Sequence, residues 1–156
     1  MIDRSDQFKQ IRKKYGPRFF VKEGYNRECA ALWGYDWPCP EVNEHGVFED
    51  DEREKFFLKF DRDWFLEIRG ACGANNLWAY GYNYWFSDGG GGCAPSIGDM
   101  IAFESFDELK IYYLDHFEKR IKERIASPFV PEAHIPLLKK ALEKIQDAKI
   151  PQLELF

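Results

Sequence analysis

The sequence has few cysteines, and their spacing excludes the common cysteine-based frameworks. There are four in 156 residues, at positions 29, 39, 72 and 93, and no two of them form a C-x-x-C pair. Closely paired cysteines are the usual signature of structural zinc sites and of small disulfide-linked folds. We therefore expect free thiols and no metal centre. The alternative is a zinc site that also uses His45, although these separations fit neither a zinc-knuckle nor a zinc-ribbon pattern.

Long hydrophobic runs and an excess of positive charge are also absent. No stretch approaches the roughly 20 apolar residues that a membrane-spanning helix needs, and the polar start MIDRSDQFKQ lacks the apolar region of a secretory signal. The net charge is −5, so a broad surface for binding the phosphate backbone is not expected. The sequence thus predicts a cytoplasmic protein that does not interact with membranes and reaches DNA only through a protein partner.

The short motifs of the common enzyme classes are missing as well. The sequence contains no GxxxxGK[ST] phosphate loop, no HExxH, no GxSxG and no GxGxxG, and its three histidines are far apart. No cofactor is therefore predicted. A binding protein is favoured over an enzyme.

Aromatic residues, in contrast, are abundant at 17%, and residues 77–86 hold them in an alternating pattern. Successive side chains of a strand point to opposite faces, so the even-numbered aromatics from Trp78 to Phe86 would share one face. We expect this stripe to pack in the core, the alternative being a surface that stacks bases or sugars. Two shorter alternating segments, 55–60 and 64–70, precede it and are joined by a tight turn.

These segments predict an antiparallel β-meander of three strands, to which residues 18–22 (RFFVK) would add a fourth. Helices predicted after the meander would cover one of its faces. Ser105 and Glu108 have the spacing of an N-terminal capping box, and an apolar stripe at helical spacing continues to Ile125. The sequence therefore indicates an α+β fold, in which a β-meander of three to four strands is covered by C-terminal helices.

Two further helices are predicted outside this arrangement. Residues 6–15 are amphipathic, and a last helix opens at Pro131 or Pro136. No internal repeat divides the chain. Residues 1–150 are therefore expected to form a single domain, followed by an extended partner-binding tail at 151–156.

Two segments are predicted as surface loops. Residues 23–46 include three alternating aromatics beside Pro38-Cys39-Pro40, and prolines there exclude a regular helix or central strand. Four consecutive glycines after the aromatic strand favour a turn or mobile loop over a phosphate-binding loop, because no basic residue flanks them. The candidate surface residues are Trp33, Tyr35, Trp37, Gly89, Gly90, Gly91 and Gly92.

The order of GGGGCAPSIGD and FESFDELKIYYL after an aromatic strand resembles small plasmid- and phage-borne proteins. That resemblance implies no particular activity. A second resemblance is more specific: residues 152–156 read QLELF. They resemble the Q-L-S/D-L-F peptide that replicative and repair polymerases and mismatch-repair proteins use to bind the bacterial sliding clamp, the β subunit of DNA polymerase III.

Glu154 departs from this pattern, which has Ser or Asp at that place. Such peptides commonly lie at chain ends, and Pro151 favours an extended backbone before it. The alternative is a tail that folds back and buries its apolar side chains in the protein's own core. The resemblance implies a clamp contact through Gln152, Leu153, Leu155 and Phe156.

The sequence therefore predicts an accessory protein of bacterial or mobile-element DNA metabolism that is recruited to the replication sliding clamp by its tail. The alternative is a stand-alone inhibitor or immunity-type protein, with a tail that is merely structural. Such a protein would cover its partner with the acidic run at 49–54 and with its aromatic loop.

Overall fold

The computed structural model describes residues 1–86 and 89–150 and confirms the α+β fold. Within these ranges it has four α-helices, a four-stranded antiparallel sheet and a two-stranded sheet. None of these helices combines the length and the apolarity needed to cross a membrane. The elements are β1 (Ile2–Asp3), α1 (Ser5–Tyr15), α2 (Glu23–Ala31), β2 (Arg53–Lys59), β3 (Phe65–Cys72), β4 (Trp78–Phe86), β5 (Gly89–Cys93), β6 (Ile101–Ala102), α3 (Phe106–Ala126) and α4 (Ile135–Lys149).

Strands β2, β3 and β4 form the predicted meander. Each strand is antiparallel to the next, with Phe56 opposite Ile68 and Ile68 opposite Tyr82. Their bounds differ from the predicted ones by no more than two residues at either end. The alternating pattern was therefore sufficient to locate all three strands.

The fourth strand of the sheet is β5, and the prediction of a strand at 18–22 is wrong. Residues Phe19–Val21 form a single 3-10 turn, in which the Lys22 N–H donates to the Phe19 carbonyl oxygen. This segment joins α1 to α2 within a few residues, so it cannot extend to a sheet edge. Strand β5 instead returns beside β4, with Gly89 opposite Phe86.

Helix α3 begins where the capping box predicts it. The Ser105 hydroxyl accepts a hydrogen bond from the Glu108 N–H at 3.0 Å. The Glu108 carboxylate accepts from the Glu104 N–H at 2.8 Å, one residue before the expected partner. Helix α4 follows with Pro136 in its first turn, where the missing proline N–H has no helical partner to lose.

Helices α3 and α4 cover one face of the four-stranded sheet. The ring of Tyr82 lies 5.4 Å, between centroids, from both Tyr113 and Phe117, and Trp78 packs on Phe106 at 5.6 Å. The even-numbered stripe of β4 therefore faces the core, as predicted. Fully buried residues of this first core include Leu66, Ile68, Leu109, Leu114, Phe117, Ile121, Leu138, Ala141 and Ile145.

A second core lies on the opposite face, where α1 and α2 pack against one end of the sheet. Ala71 of β3 and Ala79 of β4 are opposite each other and fully buried there. Phe8, Trp33 and Phe48 are fully buried in the same core. Strands β3 and β4 thus contribute to both cores through alternate residues.

Candidate functional site

Helix α4 brings the chain to the surface directly before the predicted clamp-binding peptide. Its last residue, Lys149, is ion-paired with Asp115 and Glu118 of α3. Ile150 follows in an extended conformation (φ −71°, ψ 124°) and is 65% exposed. The candidate clamp-binding residues Gln152, Leu153, Leu155 and Phe156 lie outside the described residues.

Glu118 is the centre of the contact that holds the end of α4. Its carboxylate accepts hydrogen bonds from Lys149, from Lys122 and from the Gln146 amide. These bonds, the one from Lys149 foremost, lower the pKa of Glu118 to about 2. Asp115 and Glu118 in turn raise the pKa of Lys149. The charged forms of both groups are therefore favoured at neutral pH, and the last turn of α4 is fixed to α3.

An apolar groove of about 850 Å³ adjoins this point, and we call it the β2 groove. Phe56 and Leu58 of β2, Ile111 of α3, and Ala148 and Ile150 at the end of α4 supply its apolar lining. Strand β2 is the edge of the sheet here and has no second neighbour among the described strands. The polar residues at the rim are Asp107, Lys110, Lys144, Asp147 and Lys149.

Trp33 is not on the surface, contrary to the prediction. It is fully buried in the second core, where its Nε1–H donates to the Ile97 carbonyl oxygen at 2.9 Å. The guanidinium carbon of Arg4 lies 4.7 Å from the centroid of its ring. Tyr35 and Trp37 are half-buried and pack against the same core. This aromatic segment therefore contributes mainly to the second core, in which Trp33 and Tyr35 both pack against Phe48.

The four glycines form an edge strand instead of the predicted turn or loop. Gly90 is opposite Trp85 and exposed, yet a Cβ atom at this position would lie 2.4 Å from the Tyr84 carbonyl oxygen and 2.4 Å from Cε3 of Trp85. Only glycine fits there without a shift of β5 away from β4. The strand comprises Gly89, Gly90, Gly91, Gly92 and Cys93.

The far end of the α1–α2 face of the sheet carries exposed aromatic residues. Phe57 and Phe65 are stacked with their centroids 5.7 Å apart, and Phe65 is opposite Trp85 in the β3–β4 pair. Phe57 is 54% exposed and Trp85 is 47% exposed. We call these three residues the open-face patch. The odd positions of the same alternating pattern encode it, although the sequence does not show which face of a sheet is covered.

Asp99 has a buried carboxylate, and its burial was not predicted from the sequence. Its Oδ2 accepts hydrogen bonds from the N–H of Tyr80 at 3.1 Å and of Ser96 at 3.2 Å. Burial of the carboxyl group raises the pKa of Asp99 well above its ordinary value. Since both donors are backbone groups, Asp99 fastens the segment after β5 to the edge of β4.

The cysteines offer little reactivity in this fold. All four are free, and burial raises the pKa of the Cys29 thiol to about 11. A thiol with that pKa stays protonated at neutral pH and is a weak nucleophile and metal ligand. In the part of the chain that the structure describes, no three His, Cys, Asp or Glu side chains are grouped to hold a metal ion. Elemental analysis for zinc tests the sequence-based expectation.

The β2 groove itself was not found from sequence, because Phe56, Ile111 and Ile150 come from three distant elements. No residue type or spacing marks such a site before the fold is known. Comparisons of the chain with protein-family models, with curated proteins and with solved structures gave no match.

Proposed function

We propose that the protein is an accessory factor of bacterial or mobile-element DNA metabolism, recruited in the cytoplasm to the replication sliding clamp by the QLELF segment. One structural observation supports this proposal: the chain leaves the anchored end of α4 at an exposed, extended Ile150. A peptide that docks in the pockets of a partner needs such a starting point. With a net charge of −5, the protein would reach DNA through the clamp.

The chemistry of the segment suits pocket binding. Leu155 and Phe156 would enter an apolar pocket of the clamp, Leu153 would add a further apolar contact, and Gln152 would satisfy polar groups at the rim. A five-residue contact that becomes ordered on binding reaches about micromolar affinity, or about −8 kcal/mol. Binding of this strength is suited to transient recruitment to a loaded clamp.

A paired substitution tests the proposal. Leu155→Ala combined with Phe156→Ala should abolish binding to a bacterial sliding clamp, measured by fluorescence anisotropy at physiological salt. Glu154→Ala is the matched control and should bind almost as the wild type does, because the anchors are apolar. Unchanged binding of the double variant would rule out QLELF as the contact. A fall in melting temperature of about 10 °C or more would show that these side chains belong to the permanent core.

The open-face patch favours a second candidate, an inhibitor or immunity-type protein that covers a partner protein. Exposed aromatic residues are typical of the centres of protein interfaces, and the exposed acidic residues 49–52 precede β2 directly. Trp33 is buried and contributes nothing to such a surface. Substituting Phe57 and Trp85 together by alanine separates the two candidates: clamp binding should be unaffected if the tail is the recruiting element.

A further inference from the structure

The outer side of β5 is an unpaired strand edge. β5 pairs with β4 on one side, and on the other side it has no neighbour among the described strands. Backbone groups of alternate residues in an edge strand point away from the sheet. No described residue makes a backbone hydrogen bond to this side of Gly89–Cys93, and Gly90 to Cys93 are exposed. The edge therefore offers free N–H and carbonyl groups to an added strand.

β5 also lacks the features that usually protect a sheet edge. The opposite edge, β2, carries Arg53, Lys55 and Lys59, and charged side chains of this kind hinder pairing with a further strand. β5 consists of four glycines and one cysteine, and its register with β4 is regular, without a bulge. The glycines leave room on both faces for the side chains of an added strand. β5 is therefore the edge that can accept one.

The face of β5 towards α3 has a positive charge beside it. Arg120 of α3 donates from Nη2 to the Tyr84 hydroxyl at 2.8 Å, and its guanidinium carbon lies 4.8 Å from the centroid of the Tyr84 ring. Tyr84 is opposite Gly91, and its hydroxyl lies 3.3 Å from the place that a Cβ atom would take there. Arg120 forms no ion pair with Glu123 or with any other carboxylate of the described residues. Its charge is thus held beside β5 without an acidic partner.

The other face of β5 is apolar. Trp85 is opposite Gly90, and its ring occupies the space that a Cβ atom would take at Gly90. The indole therefore lies over the glycine backbone, and it is 47% exposed. An added strand would place every second side chain beside this ring and the others on the side of Arg120. The edge thus fits an extended peptide with one apolar and one acidic side.

We propose that β5 is the docking edge for an extended segment of a partner protein. The segment adds a fifth strand to the sheet, with acidic side chains towards Arg120 and apolar side chains towards Trp85. Strand addition takes its affinity from backbone hydrogen bonds and its specificity from the alternating side chains. A second copy of the chain fits less well, because pairing β5 with β5 would set glycines against glycines without cross-strand side-chain contacts. Docking at this edge depends on neither the tail nor the clamp.

A designed peptide tests the docking in the full chain. The probe is a heptapeptide that alternates valine and glutamate, and the control peptide has lysine in place of each glutamate. Each is titrated to about 5 mM and followed by NMR, because a single added strand binds at about millimolar strength. The glutamate peptide should shift the amide signals of Gly90, Gly91 and Gly92 most, and that of Ile68 in the first core should not move. It should bind about two- to fivefold more tightly than the lysine peptide at low ionic strength, as expected for an exposed ion pair.

A charge reversal tests whether Arg120 selects the peptide. Arg120→Glu should reverse the preference, so that the lysine peptide binds more tightly than the glutamate peptide. Lys139→Glu, at an exposed residue of α4, changes the net charge equally and should keep the wild-type preference. If the glutamate at position 120 impairs folding, Arg120→Gln is the second variant and should bind both peptides equally.

Three results would overturn the inference. Glycine amides that do not shift with either peptide would show that the edge accepts no strand. Equal binding of the two peptides by the wild type would show that Arg120 does not select an acidic partner. Hydrogen exchange of the β5 amides that slows in the free protein as its concentration rises would show that a second copy occupies the edge.

Discussion

Phe117 and Phe57 illustrate that the contribution of a phenylalanine to stability depends on how deeply its side chain is buried. Phe117 is fully buried and its ring contacts those of Tyr82 and Tyr84, with centroids 5.4 and 5.1 Å away. Phe57 is 54% exposed on the open-face patch. Phe117→Ala should lower the free energy of unfolding by about 3–5 kcal/mol, and Phe57→Ala by less than about 1 kcal/mol. Urea denaturation of both variants measures the difference.

The Phe57→Ala variant also tests whether the open-face patch is exposed in solution. A loss of more than about 2 kcal/mol on Phe57→Ala would show that the open-face patch is covered in solution, for instance by a second copy of the chain. Repeating the measurement at two protein concentrations distinguishes such a copy, because its contribution depends on concentration.

Glu118 gives stability a defined dependence on pH. Its pKa in the folded protein, about 2, lies below the ordinary value of 4.5. The carboxylate therefore stabilises the fold fully above pH 4.5, and this contribution is lost as the pH falls from 4.5 to 2. Glu118→Gln should lower the melting temperature at pH 7 and change it little near pH 2. Glu143→Gln, at an exposed residue of α4, is the control.

The behaviour of Glu118 also reports on the end of α4. If Glu118→Gln leaves the melting temperature at pH 7 unchanged, then Lys149 is held by Asp115 alone, and the helix end is anchored less firmly than the hydrogen bonds indicate. Solvent screening reduces such contributions at high salt, so the comparison belongs at low ionic strength.

At the scale of elements, β5 is the strand whose formation is least evident from its own residues, because four of its five residues are glycine. Gly90→Ala would place a methyl group 2.4 Å from the Tyr84 carbonyl oxygen, whereas a Cβ atom at Gly89 meets nothing within 4 Å. Gly90→Ala should therefore cost about 1–3 kcal/mol of unfolding free energy, and Gly89→Ala should be tolerated. Hydrogen exchange of the β5 amides should accelerate in the first variant only. Equal effects of the two would contradict the observed pairing.

The sequence predicts the elements that have a hydrophobic period and fails for those that do not. β2, β3, β4 and α3 carry clear alternation or a capped apolar stripe, and each lies where the pattern indicates. β5 has four glycines, so no side-chain period exists, and its position depends on the shape of β4. Helix α2 was predicted as part of a loop, because EGYNRECAA has a glycine in its first turn and only a weak apolar stripe.

At the scale of the molecule, two cores share one sheet. Leu66 and Ile68 of β3 belong to the first core, and Ala71 of the same strand belongs to the second. We therefore expect a single cooperative unfolding transition, in which tryptophan fluorescence and far-UV circular dichroism give the same midpoint. Leu114→Ala in the first core and Phe8→Ala in the second should each lower that midpoint. Two separate transitions would show that the α1–α2 layer unfolds on its own.

The candidate site also depends on the whole fold, because it combines a contiguous segment with a groove formed by several elements. The sequence therefore predicted only the contiguous segment. The proposed clamp-binding segment, residues 152–156, is contiguous, so its resemblance can be found from the sequence alone. The β2 groove is formed where β2, α3 and α4 meet, and its residues 56, 111 and 150 are separated by 39 or more positions. Trp33 shows the converse: the prolines and polar residues beside it in sequence suggest an exposed loop, but Phe48 and Ile97, which are distant in sequence, contact it in the second core.

The pairing of β1 with β6 has a consequence for synthesis on the ribosome. Ile2 pairs with Ala102, and Phe8 is buried in the same core as Ala102. The first ten residues therefore emerge about ninety residues before the partners that complete their core. At about 5–20 residues per second, this wait lasts roughly 5–20 s. During that time Phe8 and its apolar neighbours remain open to chaperones on the nascent chain.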